Sequence, residues 1–361
     1  MRTKINSFVK FRGWVDSHRI LSLVIAGILL LILGAGVATF VIARHPVADI
    51  PPATKTASKK EEPKPTFYAP LTGLAVDSEE AIAKPVTAIM IENSPDARPQ
   101  SGIKNSAVVY EAIAEGGITR FLVLYQQEKP QLVGPVRSLR MYYVDWLAPY
   151  NASVAHVGGS ANALAEIRNG NYRDIDQFFN GGSYWRASER WAPHNVYTSF
   201  ERLDALNASK GYTISKPSVF ARKDSKPTQT PTATSISVTM SGPTYNSSYT
   251  YDAASNLYFR SQGGAPHTDR EEGQITPRVV IVIKSAMQTV FEDGWRQQYQ
   301  TTGSGSATIF QDGTVQEVTW HKTDRVGQYH FTDAEGKNVA LARGQTWISV
   351  VPADTGGVSW Q

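Results

Sequence analysis

The chain of 361 residues contains no cysteine. That absence excludes a disulfide-stapled scaffold, a thiolate zinc site, an iron–sulfur cluster, a cysteine nucleophile and an acylated lipoprotein cysteine. Other signatures are missing too. There is no G-x-S-x-G elbow of a serine hydrolase, no P-loop lysine after a glycine run, and no H-x-x-x-H or comparable spacing of metal ligands. No repeat with a period of roughly 20 to 50 residues is visible. Neither a cofactor nor a metal is expected.

A one-sided charge is lacking once the chain is divided. The net charge of +4 and the pI near 9.0 suggest a nucleic-acid partner. Residues 1–65, however, hold 10 Lys and Arg against 4 Asp and Glu, whereas residues 66–361 hold 26 against 28. The excess of positive charge lies at the N-terminal end, and no nucleic-acid partner is expected. What remains is ordinary globular composition, with 41% hydrophobic and 19% charged residues. A chain of this length is expected to form two globular units.

One long apolar run is present, ILSLVIAGILLLILGAGVATFVIA at residues 20–43, with Ser22 and Thr39 as its only hydroxyl residues. As a helix it is roughly 36 Å long, enough to cross a bilayer. A buried soluble helix of this length normally carries a polar stripe, which is absent here. Arg2, Lys4, Lys10, Arg12 and Arg19 precede it against Asp16 alone, which places the N-terminus in the cytoplasm and the C-terminal region outside. A cleaved signal peptide competes with this reading, but the run exceeds a usual h-region, so an uncleaved single-pass anchor in the cell membrane is expected. Residues 46–65 follow with five prolines and paired charges, a semi-extended stalk.

Beyond the stalk, apolar runs at residues 86–91, 107–110, 121–125 and 153–157 read as strands. Helices are expected to begin at Ser138, Ser160 and near Ser199, with Ala161, Leu164, Ala165 and Ile167 as one apolar face. Short strands dominate after Ser235: residues 235–240, 249–252, 257–260, 279–283, 307–310, 315–320 and 347–351. Asp312-Gly313 is a hairpin signal, and Gly303 to Ala307 reads as a flexible hairpin loop. The expected architecture is a cytoplasmic tail (1–19), a single N-terminal transmembrane helix (20–43), a Pro/Lys-rich stalk (44–66), an α/β or α+β first outer domain (67–214), a linker (215–234) and a mostly β second domain (235–361).

Several residue groups can carry chemistry. Glu111 and Glu115 flank the Gly116-Gly117 turn and can act as acid and base, or pair with Arg120, Arg137 and Arg140 inside a cleft. Arg137 and Arg140, three apart, are expected on one side of a helix start, where guanidinium forks and backbone N–H groups bind a carboxylate or phosphate. The alternative is that these arginines bind Glu111, Glu115 or Asp145 structurally. His156-Val-Gly-Gly-Ser160 aims backbone N–H groups at an anion, with Ser160 as cap or, paired with His156 or His194, as nucleophile. His194 and Asn195 lie in a loop with Trp185, Arg186, Arg190 and Trp191, suited to stacking on sugars or gripping an acidic ligand, or simply pinned by its aromatics.

The stretches PLTGL (70–74), MIENSPDARPQSG (90–102), VVYEAIAEGGITRFL (108–122), VGPVRSLR (133–140), HVGGS (156–160) and APHNVYTS (192–199) resemble the YerB-like family of bacterial envelope proteins. His267 with Asp269, FQDGTVQEVTW (310–320) and GQTWISVVP (344–352) carry the C-terminal part of the resemblance. It implies a membrane-tethered extracytoplasmic protein with two domains of unknown function, and no established reaction. The better-known member looks like a lipoprotein held by an acylated cysteine; here an apolar helix takes that place.

Together these features lead to an expected envelope binding protein that holds an acidic ligand, an envelope polymer or a cell-wall assembly partner through Arg120, Arg137, Arg140, Ser160 and Asn195. The competing reading is a hydrolase or lyase acting on an envelope glycan or peptide, with Glu111, Glu115, His156 and His194 as its acid–base residues.

Overall fold

The structure is a computed structural model that describes Trp14, Ser17, His18, Ile20, Leu21, Leu23, Val24, Ile28 and residues 67–361. Of the expected membrane span, the five described residues are helical and exposed. The rest of residues 20–43 and the whole stalk lie outside the described residues. Among the described residues no helix is long and apolar enough to cross a membrane. The chain divides into residues 1–63 and residues 64–361, and the second unit carries the fold described below.

Its first half contains β1 (Thr87–Glu92), β2 (Val108–Ile113), β3 (Thr119–Tyr125), α1 (Met141–Leu147), β4 (Ser153–Ala155), α2 (Ala161–Asn169), β5 (Arg173–Asp174) and α3 (Phe200–Ser209). The second half adds β6 (Ser235–Thr239), β7 (Ser247–Asp252), β8 (Leu257–Gln262), β9 (Val279–Ser285), β10 (Met287–Phe291), β11 (Trp295–Tyr299), β12 (Gly303–Gln311), β13 (Thr314–Lys322), β14 (His330–Thr332), β15 (Thr346–Pro352) and β16 (Gly357–Trp360). The first half is α+β with few helices, and the second is largely β.

Both halves build one ten-stranded mixed sheet, ordered β14-β13-β12-β9-β15-β2-β3-β1-β4-β5. The halves meet where β15 runs parallel to β2, pairing Thr346 with Val108 and Ser349 with Glu111. β1, β2 and β3 are buried at every position, which follows from their near-continuous apolar sequence: a sheet covered on both faces needs no alternation. One face packs on Tyr142, Tyr143 and Trp146 of α1 and Ile167 of α2. The other packs on Phe200 and Leu203 of α3 and on Ile236, Val238, Tyr249 and Tyr258. Those last residues belong to a second sheet of β8, β7, β6 and β16, with Ala265–Pro266 at its edge.

Local chemistry accounts for several boundaries. Asp312 and Gly313 both adopt positive φ, 57° and 78°, and β12 pairs with β13 through Gln311 and Thr314, the two-residue hairpin that Asp-Gly favours. Ser199 caps α3 by accepting the Arg202 N–H.

Three expectations are corrected. α1 starts at Met141 rather than Ser138, because residues 136–139 are drawn into extended bridges, Val136 with Ile91 and Leu139 with Gly159. The buried residues of α2 are Ala163 and Ile167, while Ala161 and Ala165 are exposed. Gly303 to Ser306 is not a loop but the start of β12, where a Cβ on Gly305 would sit 2.7 Å from Trp320 Nε1. The glycine there admits an indole. Residues 215–234 run along the body: Phe220 is buried, and Arg222–Lys223 pairs in parallel with Leu341–Ala342.

Candidate functional site

The turn between β2 and β3 places Glu115 among arginines from three segments. Gly116 and Gly117 adopt φ of 64° and 75°, a conformation open to glycine that reverses the chain within a few residues. Arg140 grips Glu115 with two nitrogens, Nη2 donating at 2.7 Å and Nε also in contact. Arg120 Nη2 donates to the same carboxylate at 3.1 Å, and Arg296 of β11 lies 3.7 Å away. Burial by itself would raise the Glu115 pKa, but the Arg140 hydrogen bonds and the charges of Arg120, Arg140 and Arg296 together hold it down to about 2. Such a carboxylate supplies no proton near neutral pH.

Arg120 is almost wholly buried, and its Nε has no hydrogen-bond partner among the described residues. Burial first, then the neighbouring Arg140 charge, lowers its pKa. Arg137 and Arg140 do not share one side of a helix start. Arg140 is the N-cap residue of α1 and Arg137 lies in the bridged segment before it, and they serve different carboxylates. Arg137 Nε lies 3.3 Å from Glu92, and its terminal nitrogens make no hydrogen bond among the described residues.

Glu92 joins this cluster to the 189–194 loop. Its other oxygen lies 2.9 Å from His194 Nδ1, which also lies 3.1 Å from Ser94 Oγ. Serine and carboxylate thus meet the same ring nitrogen, whereas a nucleophile–base–acid relay needs them on opposite nitrogens. Asn195 braces the loop, donating to the Ala187 and Arg190 carbonyls and accepting from Arg186. Beside it opens a cavity of about 640 Å³ lined by Asp96, Glu189, Arg190, Trp191, His194 and Arg270.

Glu111 lies elsewhere, sealed between the two sheets. It accepts from Arg260 Nη2 at 2.8 Å, Trp347 Nε1 at 3.0 Å and Thr119 Oγ1 at 3.2 Å, and both members of the ion pair are fully buried. His267 completes the group, donating Nε2–H to Gln100 Oε1 at 3.0 Å while its Nδ1 faces Arg260. Burial, then the charges of Arg260 and Arg98, hold His267 well below its ordinary pKa.

His156 is buried between the Gly158 carbonyl (2.7 Å) and Asp174 (3.1 Å). Ser160 occupies the N-cap position of α2, yet its hydroxyl makes no capping bond. The Glu292 carboxylate reaches that helix end instead, accepting the Asn162 N–H. The four acid–base candidates therefore face four different partners, Arg260 (Glu111), Arg140 (Glu115), Asp174 (His156) and Glu92 (His194).

Four residues central to these networks, Glu92, Arg260, Arg296 and Glu292, were not singled out by sequence reasoning. Arg260 carried a readable signal: it falls on the inward register of LYFRSQ, where Tyr258, Arg260 and Gln262 alternate with less buried neighbours, and an inward arginine requires a buried acceptor. No comparable signal marked Glu92, Arg296 or Glu292. Among the described residues, no group of three or more His, Cys, Asp or Glu side chains is placed to hold a metal ion.

Residues 71–213 match the N-terminal domain, and residues 236–348 the C-terminal domain, of a protein family of unknown function (DUF3048). The chain is 33% identical over 289 residues to "Putative lipoprotein YerB" of Bacillus subtilis (strain 168), covering 79% of this chain and 86% of that protein. The crystal structure of the B. subtilis YerB protein has the same fold, with a TM-score of 0.72 and 29% identity over 81% of this chain and 99% of that one. Two matched domains and a relative aligned over most of both lengths assign this chain to the YerB-like family, whose two domains are of unknown function.

Proposed function

We propose that this is a membrane-tethered, extracytoplasmic binding protein of the bacterial cell envelope that holds an anionic ligand, borne by an envelope polymer or a cell-wall assembly partner, at the arginine cluster around Glu115. The tether rests on the apolar run at residues 20–43, on the charges before it, and on the relative named as a lipoprotein. The observation that carries the binding reading is the excess of guanidinium groups. Arg120, Arg137, Arg140 and Arg296 gather against three carboxylates, Glu115, Glu92 and the Asp293 that binds Arg296 at 2.8 Å, and among the described residues the terminal nitrogens of Arg137 make no hydrogen bond. A ligand carboxylate or phosphate supplies the missing acceptor.

The test is sedimentation of the full-length chain, in micelles of a sugar-free detergent, with isolated bacterial cell-wall material at low and high salt. Arg137→Ala is the informative variant, because the side chain is part-exposed and its loss leaves the Glu115 contacts in place. Salt-sensitive retention that falls at least fivefold in this variant supports the reading. Equal retention of both proteins refutes it. Release of soluble wall fragments, seen by mass spectrometry, would instead establish a hydrolase or lyase.

A further inference from the structure

We propose that the cavity beside the 189–194 loop is a saccharide-binding subsite, in which a pyranose ring lies on the Trp191 indole. Trp191 is 90% exposed, although the loop that carries it is tied down on both sides. Arg190 donates its terminal nitrogens to the Asp96 and Pro99 carbonyls at 2.7 and 2.6 Å. The Asn195 side chain bonds the Ala187 and Arg190 carbonyls, and the His194 N–H bonds the Trp191 carbonyl at 2.9 Å. A large apolar ring held in water by an ordered backbone is a preorganised platform, and binding on it costs little further ordering.

The cavity volume of about 640 Å³ is that of a small-ligand site. The polar groups around it define the ligand class. The Asp96 carboxylate is largely exposed, with His194 Nε2 at 3.9 Å, and among the described residues that nitrogen makes no hydrogen bond. Glu189 is shared with Arg270 at 3.3 Å. The guanidinium of Arg190 is engaged by carbonyls and that of Arg270 faces Glu189, and the two carboxylates of the lining balance these two charges, so a phosphate-bearing ring such as a nucleotide finds no uncompensated positive charge. A neutral ring with hydroxyls on its edge and C–H groups on its face matches both parts: hydroxyls pair with carboxylate and imidazole, and the C–H face lies on the negative face of the indole. Glu92 connects His194 to Arg137, so this subsite adjoins the arginine cluster, but the inference does not depend on anion binding there.

The experiment titrates the full-length chain, in the same detergent, with cellotetraose, chitotetraose and uridine monophosphate by calorimetry. Trp191→Ala and Trp191→Phe are compared with Trp295→Ala, which removes another exposed tryptophan. The expected result is binding of at least one tetrasaccharide, weakened about tenfold or more in Trp191→Ala, within about threefold of the parent in Trp191→Phe and unchanged in Trp295→Ala. Thermal unfolding of Trp191→Ala should match that of the parent, since the ring is exposed. Failure of the parent to bind either tetrasaccharide overturns the proposal, as do an unchanged affinity in Trp191→Ala, an equal loss in Trp295→Ala, and preferential binding of the nucleotide.

Discussion

Removing one member of the Glu111–Arg260 pair should be among the most damaging single changes in the folded unit. Glu111 is fixed on β2 of the central sheet and Arg260 on β8 of the smaller sheet, and both side chains are fully buried. Glu111→Gln keeps the shape of the side chain but leaves a buried guanidinium without its counter-charge. Breaking a buried pair in this way costs about 3–5 kcal/mol, which in a unit of nearly 300 residues corresponds to a fall in Tm on the order of 10 °C. Replacing both residues, as in Glu111→Met with Arg260→Met, removes the uncompensated charge and should recover part of the loss. The assay is urea and thermal unfolding of the parent, both single variants and the double variant, combined as a double-mutant cycle. The reasoning is refuted if each single change costs less than about 1 kcal/mol, or if the two losses simply add.

Other predictions follow from the same geometry. Because β15 of the second half pairs with β2 of the first, calorimetry should show one cooperative transition for residues 67–361; two separated transitions would refute the shared sheet as a stabilising element. The Glu115 carboxyl is lowered from 4.5 to about 2 on folding, so the stability it contributes is fully present above pH 4.5 and is lost as the pH falls toward 2. After allowance for solvent screening this contribution is about 2 kcal/mol, so the Tm gap between the parent and Glu115→Gln should narrow from pH 6 to pH 3, and a constant gap would contradict it. Gly305→Ala places a methyl group against the buried Trp320 indole and should cost about 1–3 kcal/mol, measured by urea unfolding; a neutral substitution would show that the strand shifts freely.

The fold was legible where one segment decides its own structure. Apolar runs announced β1 to β4, Ser199 its helix, and Asp312-Gly313 its hairpin, because strand burial, capping and turn chemistry act over a few residues. What the sequence hid is non-local. Ser138 and Leu139 look like the start of a helix until Gly159 arrives to bridge Leu139. Gly305 looks like a flexible loop until Trp320 from the next strand packs over it. The site divides in the same way. The arginines and glutamates near the Gly116-Gly117 turn were visible as candidates, but Arg296 and Arg260 are remote in sequence, and it is the packing of the β10–β11 hairpin and of the smaller sheet on the first half that brings one to Glu115 and the other to Glu111. A carboxylate that reads as an acid–base candidate becomes an internal counter-ion once its partner comes from the other half.

Glu92 offers a way to separate the two proposed sites, because it touches both. Its buried carboxylate faces Arg137 with one oxygen and His194 with the other. Glu92→Gln preserves size and removes the charge. At the arginine cluster, Arg137 loses the anion that partly neutralises it, so affinity for an anionic ligand should rise, by at least about 1 kcal/mol or roughly fivefold. At the Trp191 cavity, His194 loses the charged acceptor that orients its ring, so saccharide affinity should fall by a few-fold. The signs are opposite because Glu92 competes with one ligand and positions a donor for the other. Wall sedimentation and tetrasaccharide calorimetry on the same variant would read both changes. If the two affinities moved in the same direction, Glu92 would be acting on the fold as a whole, and the two sites could not be treated as separate functions joined by one carboxylate.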